Sequence, residues 1–221
     1  MSFYALTALI NGLTSLILGG FVFWKNRKVA INKTFILFCS SVAVWGFAYF
    51  FWQISENATS ALFWSRTLMA GAIFIPVFYL HFVLYFLGTA KVHRRPMIFV
   101  YIFSLLILFL DFTDFFVAVI SSRLSFQFWP KPGPAFHIFL TVWFLIIAYT
   151  TYFLVRRYKK SAGVERSQIK YILVGMTLGF IGGSTNFFLW YNIPIKPYGN
   201  IFASLYVGTI AYAMLRHRLM D

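Results

Sequence analysis

The sequence predicts an all-α integral membrane protein: a seven-helix bundle with its N-terminus outside the cell and its C-terminus in the cytoplasm. Three observations predict it. The first is composition, with 61% apolar, 22% aromatic and only 11% charged residues over 221 positions, against about 25% charged in ordinary soluble domains. A soluble fold of this size has nowhere to hide 29 Phe and 7 Trp. The second is a set of apolar runs at about 3–24, 35–54, 62–87, 97–116, 135–155, 171–190 and 198–215. Each is near or above the ~20 residues a helix needs to cross ~30 Å of hydrocarbon, and too uniformly apolar for a barrel strand. The third is charge alternation between the connectors, and it orients the chain.

Span one, 3–24, has no basic residue before it; Lys25 follows it. That order argues against a cleaved signal peptide and places the N-terminus outside. "KNRKVAINK" then supplies Lys25, Arg27, Lys28 and Lys33. Span two, 35–54, contains Cys39, the one cysteine, so no intrachain disulfide exists. Glu56 follows at its outer end as a solvated charge. Span three, 62–87, is long and holds Pro76, which predicts a tilt or kink.

Span three also carries ionisable groups, each of which is a functional hypothesis inside a membrane. Arg66 lies near its outer end; it either snorkels to the interface or faces inward to pair with an acid or a ligand carboxylate. His81 lies roughly 22 Å further along at 1.5 Å per residue, in the inner half. It reads as a satisfied core histidine, because His137 starts span five at the other face, and His93 and His217 sit in cytoplasmic segments. No bis-histidine haem site or metal cluster follows.

"KVHRR" then carries Lys91, Arg94 and Arg95. Span four, 97–116, ends with Asp111 and Asp114, three apart and so on one helix face. They are either a solvated helix end or partners of Arg66. Residues 117–134, "VAVISSRLSFQFWPKPGP", form the substantial outer loop. With Phe126, Phe128 and Trp129 near two prolines it reads as an interfacial segment or as a lid over an outward-facing pocket. Span five, 135–155, leads into "RRYKKSAGVERSQIK", which adds Arg156, Arg157, Lys159, Lys160, Arg166 and Lys170.

Span six, 171–190, repeats Gly175, Gly179 and Gly183 every four residues, a ladder that allows close helix approach. Ser184, Thr185 and Asn186 follow in its outer half, then Trp190. "YNIPIKPYGN" makes a tight turn with Pro194, Pro197 and Gly199, and Tyr198 and Asn200 open span seven, 198–215. Asn186 and Asn200 either fix packing by interhelical hydrogen bonds or line a pocket. The tail, 216–221, carries Arg216 and Arg218 and reads as the start of a cytoplasmic helix.

Fifteen of the 19 basic residues therefore fall on one side, the cytoplasmic one by the positive-inside rule. The net charge of +14 is mostly this signal and not a nucleic-acid patch. Catalytic signatures are absent: no phosphate loop, no GxSxG elbow, no His-Glu-x-x-His pair. No lysine stands in span seven for a retinal Schiff base. The chain is read as a non-enzyme without cofactor.

The order of features resembles the N-terminal seven-helix membrane module of bacterial sensor histidine kinases. "FILFCSSVAVWGFAYFFWQ" is similar to its second span, with Trp45. "ALFWSRTLMAGAIFIPVFYLHFVLYFL" is similar to its third, with Trp64, Arg66, Pro76 and His81. "ERSQIKYILVGMTLGFIGGSTNFFLWYNIPIKPYGN" looks like its sixth span and turn, and "AYAMLRHRLMD" like its exit helix. The resemblance implies a multi-pass sensory input module of the bacterial cytoplasmic membrane. Such a module detects an extracytoplasmic or membrane-borne small molecule and relays it through span seven to a cytoplasmic kinase or other output domain, in cis or in trans. It also implies a homodimer, since kinase output needs two protomers. The phosphoacceptor and ATP-binding regions are not in this sequence.

The candidate ligand site is the outer half: Arg66, Asp111, Asp114, Asn186, Trp190, Tyr198 and Asn200. Pro76, His81, the three ladder glycines, Arg216 and Arg218 are the structural and signalling candidates. A small transporter or channel, or a structural subunit packing through the glycine ladder, remain the competing readings. Membrane lipids are partners in all three.

Overall fold

The computed structural model describes residues 2–216, with side chains through Ala213. Seven helices occur among them: α1 Phe3–Lys25, α2 Ala30–Gln53, α3 Ala58–Phe86, α4 Arg94–Asp111, α5 Pro134–Lys160, α6 Gly163–Trp190 and α7 Phe202–Arg216. By length and composition α1, α2, α3, α5 and α6 can cross a membrane. Arg218 and the predicted exit segment beyond residue 216 lie outside the described residues.

Local chemistry sets several boundaries. The Ser2 hydroxyl caps α1 by accepting from the Ala5 N–H at 3.2 Å, and the Asn57 side chain caps α3 by accepting from Ser60 N–H at 2.9 Å. Each satisfies an amide that the first helical turn leaves unpaired. Helices α5 and α6 run past the predicted spans, to Lys160 and back to Gly163. The basic and polar residues there are good helix formers, and Arg157 Nε donates to Glu165 Oε1 at 2.7 Å across the short connector.

The all-α expectation needs correction at the 117–134 segment. It forms an antiparallel hairpin, β1 Val117–Arg123 and β2 Phe126–Pro132, in which Arg123 opposes Phe126. Valine, isoleucine and aromatic residues favour the pleated conformation, and Leu124 turns the chain with φ 49°.

Helices α1, α2 and α3 pack in chain order, and α7 returns to lie on both α6 and α1. Two glycines let these helices close up. A side chain on Gly46 would overlap the backbone of Gly12, and one on Gly71 would overlap the backbone at Trp45. Helix α4 is peripheral and buries only Met97, Ser104, Ile107 and Asp111. The core runs through Phe38, Tyr79 and Tyr206, all buried, while Ile17, Phe99, Phe109 and Leu145 point outward. Apolar side chains on both the inner and outer faces of helices suit a hydrocarbon solvent.

Successive helices alternate in direction. The hairpin, the α2–α3 turn and the α6–α7 turn therefore share one end of the bundle, here the hairpin end. The α1–α2, α3–α4 and α5–α6 connectors share the other, the basic end.

Candidate functional site

A connected set of buried polar side chains lies inside the bundle at the hairpin end. The centre of that set is Asn200, fully buried in a 3₁₀ turn, Tyr198–Ile201, that leads into α7. Asn11 Nδ2 on α1 donates to the Asn200 carbonyl at 2.7 Å. Asn200 Nδ2 donates to Asn186 Oδ1 on α6 at 3.3 Å, and Asn186 Nδ2 donates back to Asn200 Oδ1. Ser204 on α7 donates to Asn11 Oδ1. Four side chains thus bind the start of α7 to α1 and α6. Buried amides are costly unless paired, so this arrangement fixes one geometry.

Beside the network lies an aromatic chamber. Trp45, Tyr49 and Trp52 sit at i, i+4 and i+7 on α2, hence on one face. Trp129 of the hairpin closes them off, its ring 4.7 Å from that of Trp52. Asn186 and Trp190 of α6 form the opposite wall. The free volume is about 30 Å³, near the share of one water in the liquid. One buried polar atom there, Trp129 Nε1, has no hydrogen-bond partner among the described residues, and the buried Tyr49 hydroxyl lies beside the Asn200 side chain.

Above the chamber a cleft of about 390 Å³ opens between the first residues of the chain, the end of α2 and the hairpin tip. Tyr4, Trp52, Phe126 and Phe128 give it aromatic faces; Ser2, Gln53, Ser55, Ser125 and Gln127 give it hydroxyls and amides. Among the described residues, none that lines the cleft is charged. Trp52 belongs to both spaces, and its indole N–H donates to the Phe128 carbonyl at 2.9 Å. The cleft was not legible in the sequence, because its walls come from segments about 50 and 75 residues apart that only the hairpin brings together.

The predicted acids behave differently from expectation. Helix α4 ends at Asp111, so Asp111 and Asp114 do not share a helix face. Asp114 is exposed and pairs with Arg66, Nη2 to Oδ1 3.0 Å. Asp111 is fully buried, and neither of its carboxyl oxygens nor Arg66 Nε has a hydrogen-bond partner among the described residues. The Arg66 charge is the one that acts on Asp111. This ionic group lies on the α3–α4 flank, apart from the chamber lining.

The other candidates divide as follows. Asn186 and Trp190 line the chamber together, and Asn200 bonds to Asn186. Tyr198 does not enter the chamber; it is 58% exposed and its ring lies 5.6 Å from that of Tyr4, at the edge of the cleft. Gly175, Gly179 and Gly182 face α7 and its lead-in turn, while Gly183 meets open space and lines the chamber. The close-contact face is therefore Gly175, Gly179 and Gly182, because i, i+4, i+7 tracks one helix face better than two steps of four. His81 Nδ1 lies 2.7 Å from the Tyr101 hydroxyl on α4. At the hairpin end His137 Nδ1 lies 2.7 Å from the Tyr191 hydroxyl, whose pKa burial raises. The side chain of Arg216 lies outside the described ones.

Residues 7–221 match the family described as the N-terminal 7TM region of histidine kinase. No curated protein and no solved structure matches the chain.

Proposed function

The chain belongs to the family of N-terminal 7TM regions of histidine kinases, and from that premise we propose that it is the sensory input of a signalling kinase, with the hairpin end outside. Family membership makes it a multi-pass membrane module associated with kinase output; the sensing step is our reading. All seven helices cross the membrane, the basic end faces the cytoplasm of a bacterial cell, and residues 1–221 act as one sensor domain. In a homodimer, α7 of each protomer leads to a kinase or similar output.

The observation that carries this reading is the position of Asn200. It ties the first residues of α7 to α1 and α6, and it lies next to the chamber that Trp52 shares with the open cleft. An uncharged ligand with hydroxyl or amide groups suits the cleft, since its aromatic faces and neutral donors offer no counter-charge. Binding there moves Trp52 and the hairpin, alters the chamber and shifts the Asn186–Asn200 pair, so that α7 takes a second position. Only a ligand with unequal affinity for the two arrangements drives that change. Arg66, Asp111 and Asp114 form a second, ionic element that holds α4 against α3 in one of them.

The test uses the chain joined to a histidine-kinase catalytic core in membrane vesicles. Autophosphorylation is followed against a panel of neutral saccharides and short neutral peptides. At least one compound is expected to change output, and Gln53→Ala with Gln127→Ala to cancel the change. A cue that the double variant still reads would contradict the cleft assignment.

A further inference from the structure

At the basic end, a hollow of about 340 Å³ lies between the turn after α3 and the last turns of α5. Leu87 and Phe153 make its floor, Thr89 and His93 one wall, and Arg156, Arg157 and Lys160 the rim. His93 is held in place: its Nδ1 lies 3.1 Å from the Thr89 carbonyl and its ring meets Phe153 edge-on at 4.7 Å. Arg157 is occupied by Glu165. Glu165 is the one acid at this end among the described residues, so Arg156 and Lys160 face the hollow without a carboxylate. The Thr89 hydroxyl is buried on the same wall with no hydrogen-bond partner among the described residues.

We propose that this hollow binds the phosphodiester headgroup of an anionic membrane phospholipid. Arg156 and Lys160 supply the counter-charge, and the Thr89 hydroxyl donates to a phosphate oxygen. Clustered Lys and Arg at a membrane surface attract acidic lipids, and basic hollows between helices hold their headgroups. The floor favours a lipid over a free anion: Leu87 and Phe153 are apolar, and exposed Tyr149, one turn before Phe153 on the same face of α5, extends that apolar surface for an acyl chain. The lipid bridges the α3–α4 turn to α5 and does not depend on what the hairpin end senses.

Native mass spectrometry tests this on the protein reconstituted in phosphatidylcholine alone and in an equal mixture with phosphatidylglycerol, then released into zwitterionic detergent. The wild-type chain is expected to retain phosphatidylglycerol preferentially. Arg156→Gln with Lys160→Gln is expected to weaken that preference by about fivefold per charge removed. Arg27→Gln with Lys28→Gln, which removes two charges from another connector, is expected to preserve it. Equal loss in both double variants, no loss in either, or the same adduct from inorganic phosphate alone would overturn the proposal. Should the rim variant not fold, Thr89→Val keeps every charge and takes its place under the same criteria.

Discussion

The indole N–H of Trp143 donates to the carbonyl of Ala72 at 3.2 Å. Ala72 stands four residues before Pro76, which has no N–H to offer it, so α5 supplies the bond that α3 cannot make. Helix α3 runs through Pro76 without a break from Ala58 to Phe86. Replacing Trp143 by Phe keeps the ring against Phe180 and Phe187 but removes the donor. We expect a loss of about 0.6–2 kcal/mol, read by thermal unfolding in detergent. Adding Pro76→Ala restores an in-helix donor and is expected to recover most of that loss. A double variant no better than Trp143→Phe alone would refute this account of Pro76.

The glycines of α6 predict unequal outcomes at neighbouring positions. A methyl on Gly182 runs into the Gly199 carbonyl, and one on Gly179 into the Tyr206 ring. Gly182→Ala meets backbone, which cannot rotate away, and is expected to cost about 1–3 kcal/mol. Gly183→Ala meets nothing within 4 Å and is expected to leave the melting temperature unchanged or higher. Equal melting temperatures for the two variants would remove the close α6–turn contact from the account.

The Asn186–Asn200 pair is expected to behave as one unit. Asn200→Ala removes both side-chain hydrogen bonds to Asn186, at about 1–3 kcal/mol, while Asn11 keeps its bond to the carbonyl of residue 200. Asn186→Ala then adds little, because the pair is already broken. Strictly additive losses in the double variant would show that the two side chains act independently.

The ionic group separates a surface pair from a buried acid. Asp114 is 85% exposed, so Asp114→Asn is expected to change stability within about 1 kcal/mol, less at high salt. The Asp111 carboxyl makes no hydrogen bond among the described residues, so Asp111→Leu is expected to be neutral or stabilising. Arg66→Ala is expected to be the damaging change, and Asp111→Leu to rescue it. Unfolding temperatures of the three variants and the Arg66–Asp111 double variant check the order.

How far the sequence revealed these relationships depended on the kind of signal. The helices that face lipid were legible because hydrocarbon demands long, continuous apolar runs, and α1, α2, α3, α5 and α6 supply them. Asn186 and Asn200 were legible as partners because a short proline turn forces them together. The hairpin was not: its strands are seven residues each, and Ser, Arg and Pro interrupt their alternation. Asp111 and Asp114 misled because a spacing of three implies a shared face only while the helix continues. The cleft was hidden because Tyr4, Trp52 and Phe128 meet only through the folded hairpin.

The most direct test of the central claim needs no ligand. With the chain joined to a histidine-kinase core in membrane vesicles, autophosphorylation is compared between wild type, Asn200→Ala and Gly20→Ala, a site on α1 where a methyl meets nothing within 4 Å. Loosening the start of α7 by about 1.4 kcal/mol shifts a two-state equilibrium tenfold. Asn200→Ala is therefore expected to move output several-fold, up or down, while Gly20→Ala matches wild type. Wild-type output from a folded, membrane-inserted Asn200→Ala variant would contradict the claim that this node couples the hairpin end to α7.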